Sequence, residues 1–373
     1  MQKKIKTFFS SISTRQTLFE IIRTAAAIAL ALLIAFVIIF ITSEEPIRAI
    51  RIFLQAPFLS EYNFGQIITQ SIPLIFTGVA VCIMVKAGQF NLFVEGSFFI
   101  GMFFGAVITA GFRLPGILLP AAGLLLPALL AGLIGTIPAV MRSALRINEF
   151  VSSLMFNFII FWVCMYLFTH HFYDPDYSSL ATRTIPADGR LLYLSVNNEV
   201  SSSFLIALII AGLAWFFLNR TKWGYAFRMT GDSPEFANYI GINIKAVITW
   251  SQVLGAVIAG FGGAAFQLGN YYRFNLKALP NYGFDGFIIA IIARNNPLLV
   301  PFVALFMGYL RAGAAQMALY SDVTNDVVYI IQAVMLILVG GQAFLSFLRE
   351  RSIKKIAREM KKKGPGSGGQ AVV

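Results

Sequence analysis

Charge is scarce in this sequence. Asp, Glu, Lys and Arg make up 12% of its 373 residues, about half the share of a soluble globular chain. Cysteine and histidine are scarcer, at two each. Cys82 and Cys164 both lie inside apolar stretches and read as small buried hydrophobes rather than a disulfide pair. The two histidines, His170 and His171, are too few for a zinc or haem ligand set, and no metal or cofactor is expected. A G-x-x-x-x-G-K run followed by Ser or Thr is missing, so nothing here cradles nucleotide phosphates. Abundance lies elsewhere: 58% of residues are hydrophobic and 36 are Phe. A water-soluble enzyme could not cover that much apolar surface, and a disordered chain would be poor in it. The bilayer is the solvent that fits.

The net charge is +12. A basic balance often points to nucleic acid, but here Lys and Arg sit between apolar runs and at the chain ends, so no nucleic-acid partner is expected. About 20 apolar residues cross the hydrocarbon as a helix, and irregular backbone cannot face lipid. Ten spans are expected, at 24–42, 66–85, 88–111, 114–140, 149–169, 203–219, 247–269, 283–294, 297–318 and 327–348. The first competes with a signal peptide, but its core is long and no small-residue cleavage site follows in TSEEP. The span at 283–294 is too short for a straight crossing, and is either re-entrant or extended by its neighbours. With the N-terminus inside and the spans alternating, 21 of the 29 Lys and Arg fall on the cytoplasmic side, as the positive-inside rule requires. Both termini are therefore expected in the cytoplasm. The fold class is an all-α integral membrane protein. It comprises a basic N-terminus (1–23), a polytopic domain (24–348) and a basic tail (349–373) ending in the linker-like GPGSGGQAVV. A long polar loop (170–202) faces outward, and the only sizeable cytoplasmic loop between spans is 219–245.

That cytoplasmic loop contains a complete short helix signal. After Asp232, Ser233 can cap, Pro234 suits the first helical position, and Glu235 favours the positive end of the dipole. Gly241 is a natural stop. Phe236, Tyr239 and Ile240 share a face. A two-turn helix is marginal alone, so this face either rests on lipid headgroups or fits a groove of a cytoplasmic partner.

The run TKWGYAFRMTGDSPEFANYIGI resembles the coupling loop of permease subunits from bacterial ATP-binding-cassette importers. The group serving nucleosides, simple sugars and branched-chain amino acids is the closer match. FNLFVEGSFFIG (90–101), INEFVSSLMFNFI (147–159) and YGFDGFIIAIIARNNPLLVPFVALFMG (282–308) resemble three further motifs of that group in the right order. The chain departs from the nucleoside and simple-sugar subgroup at Phe93 and Val94, where small residues are usual. The resemblance implies a transport subunit without its own chemistry, in the bacterial cell membrane, carrying nucleosides first and simple sugars second. It also implies partners. Cytoplasmic ATPase subunits would dock on the helix at 233–240. A second permease subunit is expected, a heterodimer in preference to a homodimer, and an extracytoplasmic substrate-binding lipoprotein would meet the external loop.

An ionisable residue in hydrocarbon needs a reason, since it costs at least ~2.5 kcal/mol. Glu95, Asp285 and Arg311 are the cases. Each acid is followed by Gly and an apolar helix, in opposite senses across the membrane. That is the mark an inverted repeat leaves, and it relates spans 2–5 to spans 7–10. Two readings stand for the acids: caps or partners of Arg311 at a broken helix, or lining of the translocation path. Arg311 is placed either with them or near the outer surface. Asn91, Phe93 and Asn157 join Glu95 and Asp285 as path candidates, with interhelical ties and packing as the commoner roles for such residues. GAVIAGFGGAAFQLG (255–269) has small residues at helical spacing and is expected to pack closely. A stand-alone secondary transporter or channel is the competing class. It would need membrane acids that bind protons or sodium and no capped cytoplasmic helix. An intramembrane enzyme lacks any candidate catalytic cluster.

Overall fold

The computed structural model describes residues 43–195 and 199–322, together with Leu30, Leu33, Ile34, Phe36, Val37, Ile39–Ile41 and Ile330. The expected segments 1–23 and 349–373, and most of 24–42 and 327–348, lie outside the described residues. Two compact units divide the chain, 1–46 with 326–373, and 47–325. In the first, the described positions between Leu30 and Ile41 are helical. The second unit carries the elements below, α1 beginning at its boundary.

These elements are α1 (Pro46–Gln55), α2 (Glu61–Lys86), α3 (Val94–Gly111), α4 (Leu118–Leu145), α5 (Glu149–His170), α6 (Ser203–Arg220), α7 (Lys222–Asp232), α8 (Pro234–Tyr239), α9 (Ile244–Asn270), α10 (Tyr282–Ile292) and α11 (Val300–Tyr320). Seven of them, α2 to α6, α9 and α11, are long and apolar enough to cross a membrane. The chain is a multi-pass, predominantly helical membrane protein. Spans 2 to 7 and span 9 of the sequence reading each find a helix. The eighth is the 11-residue α10, short as its sequence implied.

Side-chain caps fix several helix starts. Ser60 accepts the Asn63 N–H at 3.1 Å to open α2, Asn148 accepts that of Phe150 at 3.0 Å to open α5, and Asn243 that of Ala246 at 3.1 Å to open α9. The largest boundary difference from the sequence reading is at α3: the span expected from 88 starts at Val94. Gly88 takes φ +72°, which ends α2 in a turn, and residues 89–93 form non-helical backbone before α3 begins.

The core forms around α9, which packs most extensively against α4, α3 and α2, while α2 also meets α10, α11 and α6. Small residues let the backbones touch. A Cβ on Gly101 would lie 1.9 Å from the Gly260 carbonyl oxygen, and one on Gly263 2.0 Å from that of Phe98. This matches the packing role expected of 255–269. The phenylalanines of α3 also serve packing: Phe98, Phe99 and Phe103 are fully buried, and Phe99 and Phe103 both meet Phe274 edge-on. In contrast, α5 exposes Phe150, Met155, Phe158, Trp162 and Tyr166, an apolar face suited to lipid or to another membrane chain.

The long polar loop between α5 and α6 is pinned onto the end of α9 and the chain that follows it. Thr182 and Ile185 donate their N–H groups to the Phe274 and Tyr272 carbonyls at 3.0 and 2.9 Å, and Leu191 donates to Leu268 at 3.0 Å. Arg273 reaches back to Asp174 at 2.5 Å and to the Thr182 carbonyl at 3.1 Å, with its guanidinium 4.3 Å from the Tyr177 ring centre. A two-stranded ribbon, β1 (Tyr193–Ser195) against β2 (Val200–Ser201), closes the loop onto α6.

Two predictions follow from this packing. Gly263→Val forces a methyl-bearing carbon into the Phe98 backbone and should cost about 1–3 kcal/mol or more, read as a lowered Tm in detergent. Gly212→Ala on α6, where a Cβ meets nothing within 4 Å, should leave Tm unchanged or slightly raised. Separately, the Arg273 hydrogen bond holds the Asp174 carboxyl below its ordinary value of 3.8. The latch is therefore fully present above that value and is lost as pH falls through the lower, folded-state one. Protease cleavage within 171–202 should stay flat from neutral pH down to about 4 and rise below it; Arg273→Gln should raise it at all pH values.

Candidate functional site

Two helices begin inside the bundle, and one carboxylate joins them. Glu95 lies in the first turn of α3 and is almost fully buried. Its two oxygens accept the backbone N–H groups of Asn281 at 2.7 Å and Gly283 at 2.5 Å, at the start of α10. These are amide donors that a helix start leaves without intrahelical partners. A carboxylate there also meets the positive end of the helix dipole. Asn281 enters α10 with φ +62°, a left-handed conformation that asparagine tolerates better than most residues. Gly283 is needed for the contact itself, since a Cβ on it would lie 2.5 Å from the Glu95 nitrogen.

The depth of this junction follows from its neighbours. A Cβ on Gly135 would touch both Phe93, at 3.6 Å, and Ala256, at 2.7 Å. Ala256 lies near the middle of α9 (Ile244–Asn270) and Gly135 lies past the middle of α4 (Leu118–Leu145). The start of α3 is thus deep between the ends of two full-length spans.

Amides support the non-helical stretch that leads to it. Asn91 Nδ2 donates to Gln252 Oε1 at 2.5 Å, and Gln252 Nε2 to Gln89 Oε1 at 3.3 Å. Asn91 Oδ1 accepts the Phe93 N–H at 2.7 Å. Ser153 Oγ accepts the Leu92 N–H at 2.9 Å. Asn157 straddles the helix start, accepting from the Gly96 N–H at 2.9 Å and donating to the Leu92 carbonyl at 3.0 Å. Each bond answers a backbone or amide group that the bilayer interior would leave unpaired.

Asp285 lies one turn into α10 and forms an ion pair with Arg311 of α11. Arg311 also sits 5.2 Å from the Tyr282 ring centre. This corrects the outer-surface reading of Arg311, whose side chain is 15% exposed. Asn91, Phe93, Glu95, Asn157 and Asp285 are therefore all buried and gathered at one junction. Sequence reasoning missed Gln89, Ser153, Gln252 and Gly283 there. Their signal was weak: isolated amides and hydroxyls in apolar runs, paired with residues 60 to 190 positions away.

The second feature is α8. Ser233 caps it, its hydroxyl accepting the Phe236 N–H at 3.4 Å; Pro234 is its first residue and Glu235 lies in its first turn. The stop is complete as well: Gly241 takes φ +84°, its N–H reaches the Asn238 carbonyl at 3.0 Å, and the Ile242 N–H reaches Ala237 at 3.0 Å. That pair of bonds is a Schellman termination. Asp232 closes α7 and is exposed. Only Ala237 of α8 is buried, while Tyr239 is 88% exposed, Phe236 50% and Ile240 45%. The apolar face expected from the sequence is present and uncovered in this chain. Behind α8, Gly231 of α7 presses on the Gly88 turn, where a Cβ would lie 2.3 Å from the Lys86 carbonyl oxygen.

Residues 63–340 match the protein family described as branched-chain amino acid transport system, permease component. The chain is 26% identical over 297 residues to a guanosine ABC transporter permease protein of Bacillus subtilis, covering 79% of this chain and 85% of that protein. A glucose ABC transporter permease protein of Haloferax volcanii is 27% identical over 327 residues, covering 84% and 86%. A nucleoside ABC transporter permease protein of Lactococcus lactis is 23% identical over 316 residues, covering 82% and 86%. No solved structure matches the chain.

Removing the junction's charges should be costly. Glu95→Ala leaves two buried N–H groups unpaired and should lose about 2–4 kcal/mol; Glu95→Gln, which keeps one carbonyl acceptor, should lose less. Arg311→Met strands Asp285 and should cost about 3–5 kcal/mol. Adding Asp285→Leu to Arg311→Met should recover most of that loss. Thermal unfolding in detergent across the four variants reads these differences.

Proposed function

We infer the function from membership: the chain belongs to the permease-component family of branched-chain amino acid transport systems. It is the membrane permease subunit of an ATP-driven importer, and its cargo is a nucleoside. The observation that carries this reading is α8, a helix capped at both ends that presents Phe236, Tyr239 and Ile240 to solvent. Two turns of helix do not hold such a face open for water; they hold it for a partner's groove. ATPase subunits dock there, and α8 with Gly231 transmits their closure to the Gly88 turn.

The cargo follows from two supports. Two of the similar permeases are named for nucleosides or guanosine and one for glucose, so simple sugars are the second reading. The junction chemistry agrees with a neutral polar solute. Both its acids are engaged, Glu95 by backbone amides and Asp285 by Arg311, which leaves neither as a free ion-coupling site of the kind a secondary transporter needs. Asn91, Phe93, Glu95, Asn157 and Asp285 border the path as its structural hinge.

The assembly reading keeps ten spans with both termini cytoplasmic, spans 2–5 and 7–10 as inverted halves, and residues 24–348 as one permease domain. Support for the repeat is the acid–glycine pair in the first turn of both α3 and α10. A second, paralogous permease subunit packs beside this one, and a substrate-binding lipoprotein meets the external loop.

The test is reconstitution with the ATPase, second permease and binding-protein subunits. Phe236→Ala with Tyr239→Ala touches exposed residues and should leave Tm unchanged while reducing ATP-dependent guanosine uptake at least tenfold (about 1.4 kcal/mol of coupling). Guanosine should compete with labelled nucleoside, and glucose or leucine should not. Uphill transport by this chain alone on a proton or sodium gradient would overturn the reading.

A further inference from the structure

A second built feature lies beside α8 and is not used by the docking face. A cavity of about 760 Å³ opens between the end of α4, the end of α8 and the start of α9. Three cations line it: Arg142, Arg146 and Lys245. Glu149 pairs with Arg142 at 2.8 Å, and none of the lining residues is acidic. Among the described residues, Arg146 and Lys245 are thus the charges in the lining without an ion pair. Ser143, Asn238 and Asn243 add neutral donors, and Ile242, Ile244 and Ile248 give the lining an apolar part. Arg146 ends α4 in the left-handed conformation, φ +56°.

We propose that this cavity binds the phosphate of an anionic phospholipid. Two observations select a membrane lipid. The cavity sits at the termini of two membrane-spanning helices, α4 and α9, where headgroups lie. Trp250, five residues beyond Lys245 on α9, is half-exposed, and tryptophan marks the membrane–water interface. Basic pockets between spans on the cytoplasmic side are suited to anionic headgroups. Because Asn238 and Gly241 belong to α8 and its stop, an occupied cavity braces the docking helix from behind. The side of the membrane rests on the orientation proposed above; the binding itself does not depend on transport.

The test uses the full-length chain purified in detergent and mixed with lipid, with bound lipid counted by native mass spectrometry. Phosphatidylglycerol should be retained over phosphatidylcholine, and Arg146→Ala with Lys245→Ala should lower that preference roughly 10- to 30-fold. The charge-preserving pair Arg146→Lys and Lys245→Arg should keep it, which separates lost charge from lost fold. Millimolar inorganic phosphate should not displace the lipid; if it does, the site takes free phosphate and the lipid assignment falls. An unchanged preference in the alanine pair overturns the proposal. So does loss of ATPase binding with lipid retention intact, since the cavity would then receive a partner's acidic side chain.

Discussion

A carboxylate held among apolar helices needs hydrogen-bond donors, and Glu95 finds them on a second helix. Nearly everything near the centre of this chain follows from that requirement. Two backbone N–H groups at the start of α10 satisfy the oxygens, so α10 must begin where α3 begins. Gly283 lets the two first turns meet. Once α10 starts at that depth, it is short, and Asp285 one turn later is committed to the interior. Arg311 then supplies the counter-charge from α11. A buried ion pair of this kind adds little net stability, but either partner alone would be very costly. Its use is to fix which face of α11 meets α10.

Much of this was legible in the sequence because hydrocarbon leaves few options. Long apolar runs had to be helices, and the described residues contain a helix for each of spans 2 to 9. The short α8 was legible nearly atom for atom, because Ser, Pro, Glu and Gly at fixed offsets are local signals whose partners lie within a few residues. The span at 88–111 was misjudged at its start for the opposite reason. Phe90, Leu92 and Phe93 are apolar and read as helix. The forces that keep residues 89–93 out of the helix come from Gln252, Ser153 and Asn157, which are distant in sequence. Pairing of Arg311 had the same character: composition shows that a buried cation needs a partner, and only the fold shows which.

The amide network and the glycine contacts divide the work of the interior. Gly101, Gly260 and Gly263 bring α3 and α9 backbones into direct contact, which secures their spacing but contains no directional bond. Asn91, Gln252 and Asn157 supply direction, since an amide donates and accepts at fixed angles. Polar groups that are fully satisfied in a low-dielectric interior specify one arrangement. The junction is therefore specified by hydrogen bonds and spaced by small residues, and neither alone would place α3 at this depth.

That division limits where the molecule can move. Separating α3 from α10 would leave the Glu95 carboxylate and two backbone amides unpaired in hydrocarbon, at several kcal/mol. The first turns of these helices must then travel as one body. Smooth glycine contacts carry no such penalty for a small slide, and the Gly88 turn, pressed by Gly231, joins that body to the loop bearing α8. On the docking role proposed for α8, a push there would enter at the Gly88 turn and reach the junction held by Glu95.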